Sequence, residues 1–138
     1  MNIPNKTVFI TVILVLFTLI NTAYANDVQI LTAEFQKSGA QVWSVNITLK
    51  HSDTGWKHYA DNWRIVDKKG NILGDRVLMH PHVNEQPFTR GLGNVTIPES
   101  VKTVYVEAHD KVHGWTAKKL QIDLEKATDG RLTVTATK

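Results

Sequence analysis

The chain contains no cysteine in its 138 residues. That absence excludes disulfides, thiolate nucleophiles, blue-copper sites and a cysteine-linked lipid anchor. Methionine is nearly as scarce. Met79 is the only one after Met1, so methionine-rich Cu(I) binding is excluded as well. No block of lysine or arginine occurs and the formal charge is only +3, so nothing points to nucleic acid. No HExxH helix is present, which removes zincin-type hydrolysis. No segment of useful length repeats its apolar residues at the helical period.

One apolar run does occur, VFITVILVLFTLI at 8–20, behind Lys6. It is followed by Ala23-Tyr24-Ala25, the small-x-small pattern of a signal-peptidase site. The run is shorter than the roughly 18 residues that favour a membrane-spanning helix. These features predict a signal peptide over 1–25 and a single mature domain over 26–138, with an uncleaved anchor as the weaker alternative. Cleavage removes only Lys6, lowering the formal charge from +3 to +2. The expected location is periplasmic or secreted, with no membrane contact after cleavage. The core must be stable there without disulfides.

In the mature segment the hydrophobic period is two. QVWSVNITLK (41–50) alternates Trp43, Val45, Ile47 and Leu49 with polar residues, so one face is buried. Similar runs occur at 28–36, 62–67, 72–79, 89–97, 101–109, 117–124 and 131–137. Short strands at this spacing predict an all-β fold, an antiparallel immunoglobulin-like β-sandwich of about seven strands. The segment IPESVKTVYVEAHD (97–110) resembles the passage between the fifth and sixth strands of fibronectin type III and related immunoglobulin-like domains. Those folds often carry a tyrosine early in that strand, and Lys102 stands about there.

Connections in such a sandwich alternate between its two ends. With strands lettered in order, the connections at 37–40, 67–71 and 98–100 share one end. Those at 51–61, 80–88 and 109–116 share the other. All six histidines fall in or beside this second set: His51, His58, His80, His82, His109 and His113. A lone loop histidine is usually solvated or hydrogen-bonded. Six on connections that the fold brings together point to metal coordination.

The spacing supports that chemistry. In His80-Pro81-His82 an extended backbone sends both rings to one side, and proline limits the entropy lost on ordering. His51 continues the inward row of Trp43 to Leu49. His109 and His113 are separated by a turn. Asp53, Asp61, Glu85 and Asp110 are candidate ligands or groups that orient the rings. Neutral imidazole suits Zn, Cu(II), Ni or Fe(II). A copper brace would need histidine at the mature terminus, which is predicted to be Asn26. Arg90 is a candidate anion contact or the partner of Glu85 or Asp61. Trp56, Tyr59 and Trp115 either contact a ligand or close the end of the sandwich. The same loops also fit a polar, hydrogen-bonded network without metal.

The motifs HSDTGWKHYADNW (51–63) and HPHVNEQPFTR (80–90), with HDKVHG (109–114), resemble a set of small secreted bacterial proteins that carries no assigned activity or ligand. The resemblance implies a secreted Gram-negative, periplasmic protein. Three functions are therefore expected in descending order. The first is copper or zinc handling by the histidine cluster. The second is recognition of a small ligand or another periplasmic protein by the same loops, with Phe88 adding contact surface. The third is a metalloenzyme with an open coordination position beside Arg90 or Lys111. No organic cofactor is expected.

Overall fold

Alternating polarity becomes nine strands among the described residues, 27–138, of the computed structural model. The leader expected over 1–25 lies outside the described residues. The strands are β1 (Gln29–Lys37), β2 (Val42–Lys50), β3 (Ala60–Val66), β4 (Ile72–Val77), β5 (Phe88–Thr96), β6 (Thr103–Asp110), β7 (Gly114–Trp115), β8 (Leu120–Asp123) and β9 (Arg131–Thr135). A 3-10 turn, Leu124–Lys126, lies between the last two. One sheet has the order β5-β2-β1-β9. The other has the order β4-β3-β6-β7, with β8 also paired to β6. All pairings are antiparallel, and the two sheets form a sandwich consistent with an immunoglobulin-like fold.

The inward rows of the two sheets form the core. Val45, Ile47 and Leu49 of β2 meet Trp63 and Ile65 of β3 and Val104, Val106 and Ala108 of β6 in one buried cluster. Both tryptophans expected inside, Trp43 and Trp63, are buried.

The position of the fourth strand is set by a tight turn. It pairs with β3. The cause is local. Asp67 accepts backbone N–H bonds from Lys69 and Asn71 at 2.8 and 2.9 Å. Gly70 then turns the chain at φ 83°, a conformation glycine adopts without a Cβ clash. So tight a turn makes β3 and β4 a hairpin within one sheet. The connection from β4 to β5 must then cross between sheets, and it passes over the histidine end. The strand expected over 117–124 is β8, and a short added strand, β7, forms within the connection expected over 109–116; both pair with β6.

The inward residues of β1 change phase. Val28 and Ile30 are buried, and further along it is Ala33 and Phe35. The pairing with β2 slips between Ile30 and Thr32, so Leu31 is the extra residue of a β-bulge.

The three histidine-bearing connections are bonded into one end of the sandwich. The His51 amide donates to the Gln86 side chain at 3.0 Å. The His82 amide donates to Asp53 at 2.8 Å, and the Lys111 amide to the Tyr59 carbonyl at 3.2 Å. No helix among the described residues is long and apolar enough to cross a membrane.

Candidate metal centre

The centre starts where the inward row of β2 runs out. His51 is the next inward position after Leu49, so its ring is carried into the end of the core and is 4 % exposed. The chain then turns on Asp53. Its Oδ1 lies 2.5 Å from His51 Nδ1 and accepts the Ala60 N–H at 2.9 Å. Its Oδ2 accepts the His82 N–H. An ionised carboxylate only accepts, so His51 donates from Nδ1 and turns Nε2 toward Asp110 Oδ2, 3.9 Å away. A carboxylate that fixes the tautomer from behind is the usual support of a metal-binding histidine.

His58 enters from a tight turn. Its amide donates to the Gly55 carbonyl, and its carbonyl accepts from Thr54. Gly55 has φ 146°, which favours glycine there. The His58 ring stands edge-on to that of His51, with centroids 4.9 Å apart. Its Nε2 is buried, has no hydrogen-bond partner, and lies 3.4 Å from Asp110 Oδ1.

Asp110 closes β6 and is 1 % exposed. Its Oδ1 accepts the N–H groups of Val112 and His113, each at 2.8 Å. The Nδ1 of His113 sits 3.1 Å from both carboxylate oxygens. Burial pushes the Asp110 carboxyl up. The bonds from the His113 and Val112 amides and the nearby His113 ring outweigh it, holding the group below its ordinary value. Asp110 is therefore held ready as an anion in a nearly dry position.

His51, His58 and Asp110 each offer one ligand atom, and these atoms lie within 4.8 Å of one another. At Zn–N distances near 2.0–2.1 Å, tetrahedral donors are about 3.4 Å apart. The His58–Asp110 separation already has that value, and His51 Nε2 lies 3.9 Å from the other Asp110 oxygen. The His/Asp cluster is thus capable of coordinating a metal ion. A second group, Asp27, Asp110 and His113, meets the same distance limit and shares Asp110. Asp27 carried no signal in the sequence. A lone acidic residue ahead of a strand has no metal-ligand spacing, and only the fold brings it to β6.

The other candidate residues lie outside these two groups. His80 is exposed. It donates from Nδ1 to the Pro81 carbonyl, and its ring centroid is 4.5 Å from that of His82. His82 is buried and stacks on Phe88 at 3.8 Å with planes 8° apart. Its Nε2 accepts from Arg90 at 2.7 Å, and Arg90 also lies 3.5 Å from exposed Glu85. Burial, then the Arg90 charge and then His80, lower the His82 pKa against the opposing pull of Glu85 and Asp53. His109 Nδ1 meets Asp61 at 2.5 Å, and its ring lies against Trp115. Tyr59 is buried, while Trp56, edge-on to it, is 65 % exposed. Trp115 covers the outer face of the sheet, with the Arg64 guanidinium 3.6 Å from its ring centroid.

Comparison with known proteins adds one relative. The chain is 32 % identical over 99 residues to a protein of Halomicrobium mukohataei named "Putative lipoprotein". The match covers 72 % of this chain and 48 % of the relative, so the chain spans about half of that protein's length. No family model matches the chain. No solved structure matches it.

Proposed function

We propose that this protein is an exported, periplasmic metal-binding protein that handles zinc or copper(II). His51 and His58 supply imidazole nitrogens and Asp110 a carboxylate oxygen, with His113 and Asp27 beside them. The observation that carries the proposal is the Nε2 of His58, buried without a hydrogen bond and 3.4 Å from a carboxylate oxygen. An unsatisfied buried polar atom costs about 1–3 kcal/mol. Coordination removes that cost and also balances the Asp110 charge. Two imidazoles and a carboxylate suit Zn and Cu(II), and the absence of thiols disfavours Cu(I). The resemblance of the loop motifs to small secreted bacterial proteins agrees with export. Elemental analysis of protein purified from its native compartment, followed by equilibrium dialysis with zinc and copper(II), tests the proposal. One tightly held ion per chain, lost in His58→Ala and Asp110→Asn, is the expected result. Equal affinity in wild type and both variants overturns it.

A second use of the same end rests on its exposed apolar side chains. Trp56, Met79, Val83 and Val112 are all more than half exposed on the three histidine-end connections. Side chains of this kind suit a docking partner that receives or delivers the ion. Substituting all four by serine is expected to abolish such docking and leave metal affinity unchanged.

A further inference from the structure

A cleft of about 770 Å³ lies beside the first residues of β1. Its walls come from three separate stretches: 27–31, 116–120 and 136–138. Val28, Ile30, Leu31, Leu120 and Ala136 make it largely apolar, and the ammonium-bearing side chains of Lys118 and Lys138 line it as well. Its size is within the range of small-molecule sites, roughly 300–1,000 Å³.

The β-bulge has a direct consequence here. In a regular strand Ile30 and Leu31 face opposite sides of the sheet. The extra residue breaks that alternation beside the cleft, which Ile30 and Leu31 both line. The bulge is also held from the far side, where the Ala136 amide donates to the Leu31 carbonyl at 2.9 Å. Bulges are enriched next to binding sites because they re-aim one side chain in this way. The stretch from Asp27 to Leu31 gives the cleft a length of about 13 Å at the usual rise per residue.

We propose that this cleft binds a single-chain amphiphile with an anionic head, of the fatty-carboxylate class. The apolar wall takes the chain, and Lys118 and Lys138 take the head. Lys119 also lines the cleft but is committed to Glu107 at 3.1 Å, so it remains part of the sheet surface. Asp27, the lining carboxylate, lies close to Asp110 and His113. Charge complementarity thus selects an anion over a cation of equal chain length. The cleft shares Asp27 with the surroundings of the metal centre, but none of His51, His58 and Asp110 lines it, so amphiphile binding does not require those ligands.

Isothermal titration of the purified protein with dodecanoate, and separately with dodecyltrimethylammonium, both below their micellar concentrations, tests the assignment. Dodecanoate is expected to bind at one site, at least about tenfold tighter than the cationic amphiphile, a ratio worth about 1.4 kcal/mol. Leu31→Lys is expected to remove binding. The surface variant Lys118→Glu with Lys138→Glu keeps the test informative if Leu31→Lys does not fold, and it is expected to erase or reverse the preference. Equal binding of both amphiphiles, or binding of neither, overturns the proposal. So does a dimer that Leu31→Lys abolishes without any amphiphile bound, which would give the cleft to a second copy of the chain.

Discussion

The Nε2 of His58 faces Oδ1 of Asp110 across 3.4 Å without a hydrogen bond. Each atom is positioned by its own local structure: His58 by a glycine turn, Asp110 by backbone N–H bonds. A metal ion held by both atoms would satisfy the His58 nitrogen and the Asp110 charge together. His58→Ala is therefore expected to weaken zinc or copper(II) binding by more than the 10–100-fold typical of losing a supporting group. His58 is partly exposed, so the metal-free variant should unfold within about 1 kcal/mol of wild type. Equilibrium dialysis and urea unfolding in chelator measure the two effects. A wild-type affinity in His58→Ala would remove this residue from the centre.

Asp53 acts behind the ligands. It fixes the His51 tautomer, accepts the Ala60 amide and holds the His82 amide. Asp53→Asn keeps the shape but removes the charge and offers the wrong groups to at least one of three donors. Metal affinity is expected to fall 10–100-fold. Unlike His58→Ala, the variant should also lose about 1–3 kcal/mol without metal, because buried donors are left unmatched. Unfolding midpoints in chelator separate these two positions.

Metal should stabilise the fold by mass action. At a free concentration about 100 times Kd, a ligand that binds only the folded state adds about 2.7 kcal/mol. For a domain near this size that is a rise in Tm on the order of 10 °C. Scanning calorimetry with zinc, and again after chelation, should show the rise and its reversal. Asp110→Asn should show neither.

The sandwich was legible because its signal is local. Trp43, Val45, Ile47 and Leu49 announce a one-sided strand, and His51 continues their row into the end of the core. Even the grouping of loops at one end follows from alternating connections. The arrangement within that end does not. His80 and His82 form the densest motif, yet the ring of His82 is engaged by Phe88 and Arg90. Asp110 looked like one of four equivalent carboxylates until the turn at Val112 and His113 drew it inward. Leu31 and Asp27 were silent, since a bulge and a contact between distant segments depend on register, which spacing along the chain does not encode.

His82 predicts a pH dependence. Its folded pKa lies below the ordinary 6.5, first through burial and then through the Arg90 charge. The unfolded chain therefore binds the proton more readily than the folded one. The sign follows from linkage: the His82 contribution is fully present above about pH 6.5 and is lost as pH falls through the depressed folded value. Urea midpoints measured from pH 7.5 downward should show wild type losing stability relative to His82→Gln once pH passes below about 6.5. A constant difference between the two proteins over that window would refute the assignment.

Arg64 separates the stability of the sheet from the metal centre. It lies on β3, pairs through Nε with buried Glu107, and stacks on Trp115. Arg64→Ala removes both contacts and leaves Glu107 to Lys119, whose side chain is 42 % exposed. Removing one partner of a buried ion pair costs about 3–5 kcal/mol, and the remaining lysine reduces that to about 2 kcal/mol. Arg64→Lys restores charge without the planar stack and should recover only part of the loss. Neither variant touches His51, His58 or Asp110, so metal affinity should stay within about twofold of wild type, under 0.5 kcal/mol. Urea unfolding in chelator and equilibrium dialysis, run on the same preparations, give the two numbers. A large loss of metal affinity in Arg64→Ala would mean that the outer face of the sheet and the histidine end are coupled.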